Sequence, residues 1–195
     1  MARTVEISRK TAETEIQIAL NLDGTGAGEI STGIGFFDHM LNLWAKHGLF
    51  DLSLKAKGDL AVDSHHTVED TGIVLGQALA KALGDKQGIK RYGTAFVPMD
   101  EALAMVSLDI SGRPYLAFDV TIPTERIGSF DSEMTEEFLR ALAVHGGLTL
   151  HVRLLAGKNA HHIVEAVFKA LGRALAAAVC EDKRIVGVMS TKGML

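Results

Sequence analysis

Apolar and polar positions alternate through the opening of the chain. Arg3–Ser8 (RTVEIS) and Glu15–Leu22 (EIQIALNL) place apolar side chains at every second position, the period of a half-buried strand. The glycine-rich stretch Asp23–Gly28 signals a turn, and Glu29–Thr32 reads as a third, shorter strand. The period then changes. Phe37, Leu41 and Trp44 fall near helical spacing within Phe36–Leu49, and Gly48 stands where that helix should stop. Leu52–Ala56 reads as a strand. Ser64 is the expected N-cap of a second helix that runs to Leu83 and ends at Gly84.

The same order then returns. Thr94–Met99, Leu103–Ile110 and Tyr115–Val120 read as strands, Glu133–His145 as a helix ended by Gly146, and Leu148–Leu154 as a strand. Asn159 is the expected N-cap of a long helix to about Cys180. The pattern is β-β-β-α-β-α, twice. Local sequence repeats with it. HHTVEDTGIVLGQAL from His65 resembles HHIVEAVFKALGRAL from His161, an offset of 96 positions. MLNLWAKHGLFDLSL resembles FLRALAVHGGLTLHV, with His47 opposite His145 at an offset of 98. No linker separates the copies. The predicted fold is α+β with an internal duplication, 1–90 forming the first half and 91–195 the second, fused around one core.

Composition narrows the functional classes. The chain has 195 residues, 47% of them hydrophobic and 23% charged, which suits a folded globular protein. A net charge of −4 argues against a nucleic-acid partner. No apolar run reaches the roughly 18 residues a membrane span needs, and the charged N-terminal segment MARTVEISRKTAETE does not read as a secretory signal. The single cysteine, Cys180, excludes an intramolecular disulfide and points to a reducing, cytoplasmic setting. Near the end of an apolar helix it is expected to be buried rather than nucleophilic. The glycines form no dinucleotide or P-loop signature, and there is no Gly-x-Ser-x-Gly elbow.

The chemistry lies in the eight histidines, four of which form adjacent pairs. The segments are His65-His66-x-x-Glu69 and His161-His162-x-x-Glu165. Residues four apart share a helix face, so His65 points with Glu69 and His161 with Glu165. His66 and His162 are rotated by about 100°. Imidazole with carboxylate suits manganese, iron or zinc. One helix offers too few ligands, so the copies must meet within a chain or between chains. His39 and its repeat-mate Glu137 are both metal-capable. His47 and His145 close predicted helices, where an imidazolium complements the dipole. His151, in an apolar strand, is expected in the core. Arg91, Arg113 in Ser-Gly-Arg-Pro, and the tail Ser190-Thr191-Lys192-Gly193 are candidate phosphate anchors.

These segments, taken in order, resemble one family. Arg-Lys-Thr-Ala-Glu-Thr from residue 9, Leu-Asp-Gly-Thr-Gly from 22, Gly-Phe-Phe-Asp-His-Met from 35, both HHxxE segments, Ser-Gly-Arg-Pro from 111, Thr-Leu-His-Val-Arg from 149, Ala-Gly-Lys-Asn-x-His-His from 156 and Ser-Thr-Lys-Gly from 190 look like the imidazoleglycerol-phosphate dehydratases. The resemblance spans essentially the whole chain. It implies dehydration of imidazole glycerol phosphate to imidazole acetol phosphate in histidine biosynthesis. It implies a dimanganese site, and a homo-oligomer of about 24 subunits with sites at subunit interfaces. The implied fold packs helices between two sheets, the ribosomal protein S5 domain 2-like arrangement. Carried over by position, the metal ligands fall on His39, His65, His66, Glu69, His161, His162 and Glu165. Several members have a further histidine where this chain has Glu137. As the mate of His39, Glu137 is the expected eighth ligand, with Glu136 and His145 as rivals. Substrate contacts fall on Glu13, His47, Arg91, Arg113, Ser190 and Lys192, with Glu13 the candidate proton shuttle. A non-catalytic metal-storage protein and a dinuclear metallohydrolase are the alternatives; storage would not need the basic residues.

Overall fold

The computed structural model describes residues 3–195. The first half runs β1 (Thr4–Lys10), β2 (Thr14–Asn21), β3 (Gly28–Ser31), α1 (Gly35–Gly48), β4 (Asp51–Gly58) and α2 (His65–Leu83). The second runs β5 (Tyr92–Met99), β6 (Ala102–Asp109), β7 (Tyr115–Asp119), a small hairpin of β8 (Arg126–Ile127) and β9 (Phe130–Asp131), α3 (Met134–Gly146), β10 (Thr149–Ala156) and α4 (Ala160–Val179). Apart from the hairpin, whose strands are too short to show a period, this is the order read from the alternation.

The two four-stranded sheets share one topology, β1-β2-β4-β3 and β5-β6-β10-β7. In each, the third strand of the half pairs in parallel with the fourth, and the other pairings are antiparallel. Alternation decides which face is covered. Ile16, Ile18 and Leu20 of β2 and Leu52 and Leu54 of β4 are buried, as are Ala104, Val106 and Leu108 of β6 and Leu150 and Val152 of β10. The helices lie inside, α2 against the first sheet and α4 against the second. The layers are therefore sheet, helices, helices, sheet. Each helix pair crosses between halves: α1 packs on α4, and α2 on α3. The aromatic core crosses with them, since Phe37 meets Phe138 edge-on at 5.2 Å and Phe138 stacks on Phe168 at 5.4 Å.

The crossings are close enough for backbone to touch backbone. A Cβ on Gly172 would lie 2.5 Å from Trp44 O and 3.1 Å from Gly48 N. A Cβ on its repeat-mate Gly76 would lie 2.9 Å from Leu142 O and 2.8 Å from Gly146 N. Trp44 and Leu142, like Gly48 and Gly146, are themselves repeat-mates. One crossing has been used twice.

Some local expectations give way. Gly48 stays helical because the α4 backbone lies against it, and Leu49 takes the left-handed turn at φ 57°. Ser64 does not cap α2. Its backbone is already helical at φ −91°, ψ −7°, its hydroxyl is buried without a partner, and Asp63 Oδ1 accepts from His65 N at 2.8 Å instead. Asn159 does cap α4, accepting from His161 N at 2.9 Å and His162 N at 3.3 Å. His151 is exposed, because the alternation that buries Leu150 and Val152 turns it outward. Cys180 is exposed too; it lies one residue past the end of α4.

Overpacking at a backbone contact costs about 1–3 kcal/mol. Gly172→Ala and Gly76→Ala should each lower stability by about that much, read as the midpoint of thermal or denaturant unfolding. Gly35→Ala, with no atom within 4 Å of the added methyl, should not. Equal midpoints for all three would show that the crossings have slack.

Candidate active site

The α1–α4 crossing brings His39 to the start of α4. His39 Nε2 lies 3.8 Å from Glu165 Oε2, and His161 Nε2 lies 3.2 Å from the same oxygen. One donor atom from each of the three residues falls within 4.8 Å of the others. The donors come from both halves. Glu165 is buried, and its other oxygen is held by Lys169 Nζ at 2.5 Å. Burial opposes ionisation of Glu165, but Lys169, His39 and His161 outweigh it and hold the carboxyl below its ordinary value.

His162 stands beside this cluster. Its Nδ1 lies 2.7 Å from Glu101 Oε2, and its Nε2 lies 3.8 Å from Asp100 Oδ2, both in the β5–β6 turn. Glu101 Oε1 also accepts from Lys158 N at 3.0 Å and Asn159 N at 2.7 Å. His162 and those two N–H groups lower the Glu101 carboxyl to about 2, and Glu101 raises the His162 imidazole.

The copy on α2 is looser. His65 Nε2 lies 3.8 Å from Glu69 Oε2, as the helical spacing predicts. His66 Nδ1 lies 3.0 Å from Asp59 Oδ2, which raises the imidazole, and its Nε2 lies 3.8 Å from Glu13 Oε1. Side-chain exposure is 45% for Glu69 against 9% for Glu165. The repeat-mate of Lys169 is Ile73, so no helix-borne cation gathers Glu69 inward. Glu13 sits in the β1–β2 turn, whose Thr11 hydroxyl accepts from Glu13 N at 3.2 Å and Thr14 N at 3.0 Å. The turn is tied to α2 through Asp70, which pairs with Arg9 and accepts from the Thr14 hydroxyl. Glu137, in the first turn of α3, lies 4.0 Å from Arg140 Nε, while Glu136 pairs with the same guanidinium. Among the described residues, His39, His161 and Glu165 form the one tight three-ligand group; Glu137 joins none.

The basic candidates gather elsewhere. Arg91, buried at the start of β5, donates from Nε and Nη2 to Asp109 at 2.6 and 2.9 Å, and from Nη1 to Met189 O at 2.7 Å. It thereby anchors the tail that carries Ser190 and Lys192, in which Ser190 Oγ accepts from Lys192 N. The tail ends against the Ser111–Arg113 turn, where a Cβ on Gly112 would lie 3.4 Å from the Leu195 carbonyl carbon. Arg91 N donates to Ala178 O in the last turn of α4. His161 is in the first turn of that helix, so the imidazoles and this basic end are separated by about 26 Å at 1.5 Å per residue.

His47, in the last turn of α1, lines a cavity of about 530 Å³ with Arg173, Thr94 and Phe96. Burial lowers its pKa, helped by Lys169 and Arg173. His145 is exposed at the end of α3. Lys169 and Arg173 belong to none of the motifs above. Their spacing from Glu165, four and eight residues on one helix face, is the signal that would have found them.

Comparison with known proteins identifies the family. The family described as imidazoleglycerol-phosphate dehydratase matches residues 32–175. The chain is 64% identical over 195 residues, the full length of both, to an imidazoleglycerol-phosphate dehydratase of Acetivibrio thermocellus. It is 66% identical over 190 residues, 97% of each chain, to one from Clostridium botulinum. The crystal structure of the Staphylococcus aureus enzyme superposes with a TM-score of 0.84 at 42% identity, covering 92% of this chain and 99% of that one. The IGPD from Pyrococcus furiosus gives 0.85 at 42% identity, over 97% and 100%. These relatives set aside the storage and hydrolase readings. The chain belongs to the imidazoleglycerol-phosphate dehydratase family, hydro-lyases of histidine biosynthesis.

Proposed function

We propose that the chain dehydrates imidazole glycerol phosphate to imidazole acetol phosphate, with manganese, at sites completed between copies of the chain. The carrying observation is the separation along α4. Its N-terminal end holds imidazoles and a buried carboxylate, and its C-terminal end meets the Arg91–Arg113–Lys192 group. The substrate is an imidazole joined through three carbons to a phosphate. It is far shorter than the helix, so the anchors of one copy serve the histidines of another. Lys169 and Arg173 supply positive charge along the same face of α4, and the lowered pKa of His47 beside them keeps that imidazole in its neutral form.

The donor set fits manganese, which accepts both imidazole and carboxylate. His39, His161, His162 and Glu165 would hold one ion, and His65, His66, Glu69 and Glu137 the other. The group, when bound, supplies positive charge that makes the substrate imidazole a better electron sink. The chain's own residues do the rest. Glu13, half-exposed and fixed by its turn, carries the proton between the reacting carbon and the departing hydroxyl. Arg113, Ser190 and Lys192 hold the phosphate and so orient the carbon chain. No described helix is long and apolar enough to cross a membrane.

Chelation should abolish ketone formation and Mn2+ should restore it; full turnover in verified metal-free protein would end the manganese reading. Arg113→Ala should lower kcat/KM by about 1–3 kcal/mol, the range for a charged hydrogen bond. His161→Ala should be inactive alone. Chains of the two variants, unfolded and reassembled together, should show more activity than either variant assembled alone. No recovery in mixed assemblies would place each site within one chain. Glu137→His should keep full metal stoichiometry and Glu137→Ala should lose one equivalent by elemental analysis. Two ions retained by Glu137→Ala would assign the ligand elsewhere.

A further inference from the structure

The inner histidines already have a common orientation. His39, His65 and His161 all aim Nε2 at the carboxylate of an HHxxE segment. His162 has Ala166 four residues on, and Asp70, four on from His66, is engaged by Arg9 and the Thr14 hydroxyl instead. His66 and His162 each turn Nδ1 to a carboxylate outside their own helix, Asp59 Oδ2 at 3.0 Å and Glu101 Oε2 at 2.7 Å. A neutral imidazole carries one N–H, and an ionised carboxylate can only accept. The contact therefore puts the proton on Nδ1 and leaves the Nε2 lone pair free, aimed away from the carboxylate.

The two carboxylates come from different places. Asp59 lies in the loop between β4 and α2, and Glu101 in the turn between β5 and β6. The first-half counterpart of that turn, between β1 and β2, carries Glu13, and Glu13 faces Nε2 of His66 rather than Nδ1. The duplication therefore did not copy this contact. Each half meets the same ring atom of the same helix position from its own loop. Such independent solutions mark a demand made by the other ring nitrogen.

We propose that Asp59 and Glu101 are positioning residues that hold His66 and His162 in the Nδ1–H tautomer, so that Nε2 is the atom each presents to a metal. This rests on the manganese reading above. Glu101 is itself fixed by the Lys158 and Asn159 N–H groups, so it also sets the β5–β6 turn against the start of α4. Asp59 makes no side-chain contact to backbone among the described residues, and its role is confined to the ring.

The test begins on full-length, metal-free protein with 15N-labelled histidine. Long-range 1H–15N spectra at alkaline pH, where the rings are neutral, report each tautomer. His66 and His162 should be Nδ1–H in the wild type. Asp59→Ala should move His66 toward the Nε2–H form of an unconstrained imidazole and leave His162 alone. Glu101→Ala should do the converse. Mn2+ affinity, measured by equilibrium dialysis, should fall roughly 10–100-fold in each. Asp59→Asn, whose amide oxygen can still take the place of Oδ2 and accept from Nδ1–H of His66, should recover most of the Asp59→Ala loss, whereas Glu101→Gln, with one oxygen for contacts that Glu101 divides between Oε1 and Oε2, should recover only part of its own. Wild-type rings in the Nε2–H form would overturn the proposal, as would Asp59→Ala with unchanged tautomer and affinity. A wild type that binds no Mn2+ while its tautomers follow the carboxylates would sink the manganese reading and leave the orienting role standing.

Discussion

The structure depends on the contact of helix backbone with helix backbone where Gly172 of α4 meets α1 and Gly76 of α2 meets α3. Helices normally keep axes 8–10 Å apart because side chains stand between them. Glycine removes the side chain, so these pairs close further. The closure decides the chemistry. It carries His39, on α1, to the opening turn of α4, where Glu165 and His161 wait. It also makes the halves inseparable, since each helix pair takes one member from each. A substitution at a crossing, remote from any candidate ligand, would move His39 relative to Glu165 before it unfolded the chain.

Charge arrangement follows from that packing. The two HHxxE segments share a scaffold, but their carboxylates live in different surroundings. Glu165 is sunk beneath Lys169 and two imidazoles, and remains ionised against its burial because those neighbours favour the charged form. Glu69 stands half in solvent, and the position four residues on, Ile73, places no cation beside it. The first cluster is thus preorganised within one chain, whereas the donors of the second stand near one another without converging.

What the sequence revealed, and what it hid, divides along the same line. The strands and the HHxxE faces were legible because period-2 alternation and i, i+4 spacing are local. The duplication was legible because His47 and His145, and the two histidine pairs, recur at nearly constant offset. His39 could be nominated, but its partnership with α4 rather than α2 is set by the helix crossing, which no local period encodes. Asp59 and Glu101 lie in loops, and only tertiary structure brings them to a ring nitrogen. His151 and Cys180 were misplaced for a simpler reason. A residue within an apolar run can still fall on the outward phase of a strand, or one step past a helix end.

Duplication explains why the anchors and the histidines lie apart. Each half delivers its histidine pair at the first turn of its last helix. The second half places Arg91 where that helix ends, and Arg113 in the turn against which the C-terminal tail stops. Arg91 shows how firmly the distance is fixed. Its guanidinium is spread between Asp109 and the Met189 carbonyl, so it cannot swing along α4 toward the imidazoles without releasing the tail. Those three bonds use three of its five N–H groups; on the proposed reading the other two would meet a phosphate oxygen brought by another chain. On the proposed reading, a rigid helix longer than the substrate, with complementary chemistry at its two ends, calls for head-to-tail meeting of copies. Such heterologous contacts must close on themselves or grow without limit. On the proposed reading, closure into a finite shell would let every histidine cluster find a basic end.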